Sequence, residues 1–467
     1  MFRTKRSRLL ASIAAAAVFG TGAALAAAQI AQAHDEHGAS DGHGASAAAP
    51  ADPTGGATFL VASLSGRNEV PGPAGSAKVG DPDGQAVAVL RIKGNQLSYA
   101  FRWRNISAPT AGHIHLGSRG ANGAVQVPFF GAGLPDTAAA ATGTVTVADQ
   151  SLLDSLKADP TGFYTNLHTA EFPGGAVRGQ LHPVAHAVDL DAVLRGGPLG
   201  GLLSGDQEVP GPKPAGDPDG HATSFIGVDD NRIRYSFSWS GIGAPTDGHI
   251  HAGAVGVNGA VAVPLFSAPN GLPASVSGIA GVVGGVKPDL ARQLRRNPND
   301  FYANLHTAEF PGGAVRGQLF RTGDGDGDGF DQSTFVASVV NGEQIYACTK
   351  QADGTFAFTQ HNVAAILQTG IAHSFVKDDA GPPQWVARDR SAVTGTVLVK
   401  SPNGTGNIPE LELNATQSGA PRGELASTVE VLRLNTVGGV APAGICDPHA
   451  QPVAKVPYQA DYVFLSK

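Results

Sequence analysis

Two histidines one residue apart, His113 and His115, sit in the stretch Gly112-His113-Ile114-His115. In an extended chain, residues two apart leave the same face, so both imidazoles point one way. A third, His168, alternates with Tyr164 and Asn166, and Arg178 follows ten residues later between Ala176 and Gln180. If these two strands face each other, three imidazoles converge with a guanidinium beside them. Imidazole is a good ligand for copper and zinc, and copper has the higher intrinsic affinity. Three protein ligands leave one position open for water or a small anion, which an arginine could steer or hold. The same residue types can also close the end of a sheet by hydrogen bonding to loop carbonyls, with Glu69, Asp81 and Asp83 in the network. Both readings, metal site and buried polar network, stand on the sequence.

The whole constellation occurs twice. His249, His251, His306 and Arg316 repeat it, the first of them 136 residues after His113. Gly66-Arg67-Asn68-Glu69-Val70-Pro71 returns as Gly205-Asp206-Gln207-Glu208-Val209-Pro210, and Gly80-Asp81-Pro82-Asp83-Gly84 as Gly216-Asp217-Pro218-Asp219-Gly220. The run from Asn166 to Leu181 returns unchanged from Asn304 to Leu319. Each unit is the size of a domain rather than a solenoid repeat, and the expected bounds are 58–183 and 197–322.

Within each unit the period is two. Leu97, Tyr99, Phe101 and Trp103 alternate with smaller or polar residues, as do Ile233, Tyr235, Phe237 and Trp239. This predicts strands with one face in a core and the other wet. Lys93-Gly94-Asn95-Gln96 suits a tight hairpin. One short helix is expected in each unit, from Asp149 to Ala158 and from Pro288 to Arg296, ending before an X-Pro step. The chain of 467 residues holds 63 Gly and 32 Pro but only 15% charged residues, against about a quarter in an average protein. Many turns and few charges exclude a helical bundle or coiled coil. The expected fold is all-β: tandem antiparallel β-sandwiches plus a third β-rich domain.

Arg3, Lys5, Arg6 and Arg8 precede an apolar stretch ending in Ala31-Gln32-Ala33, the pattern of a secretory signal peptide over 1–33. Residues 34–57 read as a His/Ala/Gly-rich linker, where His34, His37 and His43 could loosely collect a metal. A Gly-x-Ser-x-Gly match at Gly38–Gly42 lacks the strand and helix of a nucleophile elbow and is discarded. Residues 323–332 form an acidic Asp/Gly hinge. It resembles the start of a calcium loop, but Phe335 stands where the closing glutamate belongs. Residues 333–467 form a third domain containing Cys348 and Cys446, the only two cysteines. In an oxidising compartment these are expected to pair and close the domain. No later segment has the roughly 18 apolar residues of a membrane helix. Loss of the four basic leader residues lowers the formal net charge from −7 to −11. An acidic chain without basic runs is a poor nucleic-acid binder.

At the Glu-Val-Pro opening, the Gly112–His115 segment and the Asn166–Leu181 ending, both units resemble CHRD domains, which implies secreted β-sandwiches without a settled activity. The third domain is similar to a secreted bacterial and fungal family of unknown function, through Tyr346-Ala347-Cys348, Pro383-Gln384-Trp385, Asn435–Gly439, Cys446 and Val456–Tyr462. The His-x-His strand, later His and Arg by a Gly-rich turn also resemble the copper side of copper/zinc superoxide dismutases. That likeness implies His113, His115 and His168 as copper ligands and Arg178 as a guide for superoxide. No histidine lies between His115 and His168, or between His251 and His306, so the bridging ligand and zinc cluster of that family have no counterpart.

The expected function is that of a secreted, non-enzymatic binding or envelope-associated protein, periplasmic or extracellular. Its partner is an extracellular or envelope ligand, and each repeat could hold one copper or zinc ion. The rival expectation is a copper-dependent redox enzyme of superoxide dismutase type.

Overall fold

A computed structural model describes residues 56–194, 197–322, 334–379 and 381–466. The expected leader, the linker up to residue 55 and the acidic segment at 323–332 lie outside the described residues.

The first repeat runs β1 (Thr58–Ser65), β2 (Gln85–Lys93), β3 (Gln96–Arg104), β4 (Pro109–Leu116), β5 (Val125–Phe130), β6 (Ala138–Thr146), α1 (Gln150–Ala158), β7 (Phe163–Thr169), β8 (Val177–Gln180) and β9 (His182–Val184). One antiparallel sheet has the order β9-β1-β2-β3-β6. The other is β5-β4-β7-β8. A single pairing, Ser65 with Arg178, joins the two at one edge. The alternating residues fill the space between them: Leu60, Leu90, Phe101, Ile114, Phe129 and Leu167 are all buried in one cluster. Tyr99 and Phe101 both pack on Phe129, at 4.7 and 5.4 Å between ring centroids. The two-residue hairpin loop between β2 and β3 places Gly94 at φ +60°, a conformation that costs glycine little. Helix α1 is capped by Asp149, whose carboxylate accepts from the backbone of Ser151 and Leu152.

The second repeat copies this order: β10 (Leu199–Ser204), β11 (His221–Val228), β12 (Arg232–Ser240), β13 (Pro245–Ala252), β14 (Val261–Ser267), β15 (Val276–Gly284), α2 (Pro288–Arg296), β16 (Phe301–Thr307) and β17 (Val315–Arg321). Strands β6 and β15 pair antiparallel, Val276 opposite Gly143 and Gly281 opposite Ala138. This fuses the first sheets of both repeats across a local two-fold axis. The axis shows in reciprocal contacts: Tyr99 Oη meets Ser275 Oγ at 3.2 Å and Tyr235 Oη meets Thr137 Oγ1 at 2.9 Å.

One expectation fails in the first repeat. The supposedly wet face of its first sheet is covered, with Ser98 and Ala100 buried. Val87, Val89 and Ala100 join a second core with Val193 and Leu194, from the connection between repeats, and with Val336, Leu432, Leu434, Val463 and Leu465 of the third domain. A sheet buried on both faces needs near-continuous apolar strands, which accounts for Phe59–Leu64 and Ala86–Leu90.

The third domain is a closed eight-stranded antiparallel barrel: β18 (Phe335–Lys350), β19 (Phe356–Leu367), β20 (Ala372–Phe375), β21 (Pro383–Val386), β22 (Ala392–Ser401), β23 (Glu410–Gln417), β24 (Thr428–Gly438) and β25 (Val453–Ser466), with β25 pairing back to β18. Tyr458, Ala460, Tyr462 and Phe464 share its core with Trp385, Leu413 and Val431. The expected Cys348–Cys446 disulfide is formed, tying β18 to the segment before β25.

Polar contacts hold the barrel to the first repeat and to the connection that follows it. Arg67 reaches Asp461 at 3.1 Å, Arg119 reaches Glu410 at 2.7 Å and the Ala185 amide donates to Glu412 at 2.7 Å. His186 Nδ1 lies 3.1 Å from Glu430 Oε2.

Candidate metal centres

The second sheet of each repeat positions the histidines. In the β4–β7 register His113 lies opposite Asn166, His115 opposite Tyr164 and Ala111 opposite His168. In the β7–β8 register Arg178 lies opposite Asn166. Paired residues share a face of a sheet, so all of these project from the outer face, while Ile114, Leu167 and Val177 fill the core from the inner one. The second repeat matches: His249 opposite Asn304, His251 opposite Tyr302, Asp247 opposite His306 and Arg316 opposite Asn304.

The three imidazoles of each repeat do converge. One ring nitrogen from each of His113, His115 and His168 lies within 4.8 Å of the others, and His249, His251 and His306 repeat the cluster. No fourth ligating side chain joins either group among the described residues.

The ring tautomers follow from their neighbours. His115 Nδ1 lies 3.0 Å from the Gly123 carbonyl and His168 Nδ1 lies 2.9 Å from that of Pro173. His251 and His306 make the same contacts with Gly259 and Pro311, at 2.9 and 3.2 Å. A carbonyl only accepts, so these Nδ1 atoms carry the protons and each Nε2 is left as a lone pair. His115 stacks on Tyr164 at 4.7 Å with 7° between planes, and His251 on Tyr302 at 4.8 Å with the same tilt.

The two repeats differ in what these nitrogens meet. In the first repeat His168 Nε2 accepts from His113 Nδ1 at 3.2 Å, while buried His115 Nε2 has no partner. In the second repeat His249 Nδ1, His251 Nε2 and His306 Nε2 are all buried without one. A buried polar atom left unpaired costs about 1–3 kcal/mol, so three aimed at one point are poor structural closure. In each repeat two rings have their protons held outward by carbonyls and turn Nε2 inward, and the third, His113 or His249, presents Nδ1; such outer contacts are what orient histidines on a bound metal. Burial is the main reason His113 and His249 are pulled down to about 4, with neighbouring imidazoles adding to it. Burial lowers the other four as well. The rings are therefore uncharged at neutral pH, as ligands must be. The residues present fit a transition metal.

Arg178 and Arg316 are held beside the rings rather than free. Arg178 donates to Asn122 Oδ1 at 3.0 Å and to the carbonyls of Ser118 and Ala121 at 3.1 and 2.7 Å, with its guanidinium 3.4 Å from the Tyr164 ring centre. Arg316 makes the equivalent contacts to Asn258, Ala254 and Val257. Each arginine braces the loop that carries the carbonyl acceptor of His115 or His251.

Glu69 and Glu208 belong to the same neighbourhood. Each has a buried Oε1 without a donor, and burial raises each to about 7, against the pull of Arg178 or Arg316. Asp81 is buried beside Asp83, and burial raises its carboxyl; neither aspartate joins the imidazole group. Asp247 escaped the sequence reading. It replaces Ala111 of the first repeat, and only a position-by-position comparison of the repeats shows it.

The CHRD domain family matches residues 60–181 and 199–319, over half the chain. The chain belongs to the CHRD domain family. A second family, described as a protein of unknown function (DUF3455), matches residues 360–466. No curated protein and no solved structure matches the chain.

Proposed function

We propose that this is a secreted or envelope-associated metal-binding protein whose two CHRD sandwiches each carry one copper or zinc ion on a three-histidine face. The observation that carries the reading is the set of three buried imidazole nitrogens in the second repeat that nothing else satisfies. The Cys348–Cys446 disulfide supports an oxidising compartment. No described helix is long and apolar enough to cross a membrane. The expected role is binding, with the metal supplying a Lewis-acidic anchor on each sandwich. Calorimetric titration of the metal-free chain with zinc and with copper at neutral pH tests this. Saturable binding that is halved by His249→Ala supports the reading, and no binding to the folded chain ends it.

A second reading, a copper-dependent redox enzyme, is favoured by one feature: three protein ligands leave a coordination position open. Superoxide consumption by the copper-loaded chain, lost in His113→Ala/His249→Ala, would support it. Copper binding without consumption leaves the binding role.

A further inference from the structure

The third domain holds a cavity of its own, lined by none of the six clustered histidines. Eight strands enclose a barrel just wide enough to be filled by side chains or to admit one small ligand. Here a space of about 470 Å³ remains, inside the usual range for small-molecule sites. Its walls are mainly aromatic and aliphatic, with Tyr346, Phe375, Trp385, Leu413 and Tyr462 among them. Trp385 is locked in place: His373 stacks on it at 4.6 Å with 1° between planes, and Tyr462 meets it edge-on at 5.6 Å. This buried aromatic floor stiffens the lining above it, where Phe375, Val397 and Leu411 present accessible apolar surface suited to a flat apolar body.

The charge in the cavity has one sign. Arg433 and Lys400 line it, and no aspartate or glutamate does. Arg433 is half-buried and points inward from β24, while its neighbours Leu432 and Leu434 face the first repeat. Its guanidinium donates to the Pro409 carbonyl at 3.2 and 2.8 Å and lies beside the Tyr462 hydroxyl. Among the described residues no carboxylate comes within ion-pair distance of it. A partly desolvated cation without a counter-ion is costly and is a ready partner for a carboxylate or sulfonate.

We propose that the barrel is a binding site for a small organic anion with a flat apolar body, the body lying against Phe375, Val397 and Leu411 above the buried Trp385 and Tyr462 and the acidic group meeting Arg433 and Lys400.

The test uses the full, disulfide-bonded chain and two fluorescent probes of the same shape. One is 8-anilinonaphthalene-1-sulfonate; the other is its neutral parent, N-phenyl-1-naphthylamine. The sulfonate is expected to bind one per chain and to lose at least tenfold in affinity in Arg433→Met, with the neutral probe little changed. Sulfonate binding should also weaken with salt and in Lys400→Gln, a change at the exposed rim that spares the fold if Arg433→Met does not. Val397→Trp, also at the exposed rim of the cavity, should exclude both probes. The proposal is overturned if the folded chain shows no saturable sulfonate binding. It is equally overturned if Val397→Trp leaves binding intact, or if the two probes respond alike to salt and to loss of the cations.

Discussion

His115 donates through Nδ1 to the carbonyl of Gly123 at 3.0 Å, and this contact fixes which nitrogen of the ring faces the other two imidazoles. His251 and Gly259 repeat it at 2.9 Å. The acceptor glycines have no room for a side chain: a Cβ on Gly123 would stand 1.5 Å from the Leu116 carbonyl oxygen, and one on Gly259 1.6 Å from that of Ala252.

Gly123→Ala should therefore weaken metal binding at the first centre without altering a ligand. Loss of such a supporting contact typically costs about 10–100-fold in affinity. Competition with a chromophoric chelator should show one weakened and one unchanged site. Two unchanged sites would mean that the Gly123 carbonyl does not set the ring.

The two centres should not be equal. Asp247 lies opposite His306, where Ala111 lies opposite His168, and its charge favours a cation nearby. The second centre is expected to bind a divalent ion several-fold more tightly at low salt. Asp247→Ala should bring the two together, and Ala111→Asp should raise the first. Identical sites in the wild-type chain would contradict this.

Much of this was legible in the sequence, and the parts that were not share a cause. His113, His115 and His168 could be grouped because alternation assigns faces and the repeat supplies the pattern twice. Helix bounds at Pro288–Arg296 follow from proline chemistry, with Pro288 at the first turn and Asn297-Pro298 after the last. Alternation places Ala100 on the wet face because it reports only the nearest core, and its cover comes from residues over 90 positions away in the chain, such as Val193, Leu432 and Val463. The role of Gly123 was equally hidden, because a backbone carbonyl has no sequence signature. Arg178 read as a guide for anions, but its partners at Ser118 and Ala121 depend on a loop geometry that spacing does not encode.

The docking of the barrel on the first repeat should loosen as pH rises. Burial, then the charge of Glu412 and a hydrogen bond shared with it, lift Glu430 from 4.5 to about 9. His186 faces the same carboxyl from the connection between the repeats. Between these two values the folded chain keeps a proton that the unfolded chain has lost, so stability falls with rising pH across that window. Thermal melting should drop by several degrees between pH 5 and pH 9. Glu430→Gln, which keeps a donor for Glu412 but cannot titrate, should flatten the profile. An unchanged slope in that variant would refute the assignment.

Removing the disulfide should act on the barrel. The two cysteines are 98 positions apart, and closing a loop of that length is worth about 4–5 kcal/mol on the chain-entropy model. Cys348→Ala/Cys446→Ala is expected to lower the melting temperature of the barrel and leave copper or zinc stoichiometry unchanged. Loss of metal along with the disulfide would contradict the independence of the two sites.

If each CHRD sandwich holds one metal ion, counting metal per chain decides the matter. Copper- or zinc-loaded protein, freed of excess ion and measured by mass spectrometry of the metal, should carry two ions per chain. His113→Ala should carry one, His249→Ala one, and the double variant none, all with unchanged circular dichroism. A folded wild-type chain that retains no stoichiometric metal after loading, or a double variant that retains both ions, would rule out the three-histidine centres.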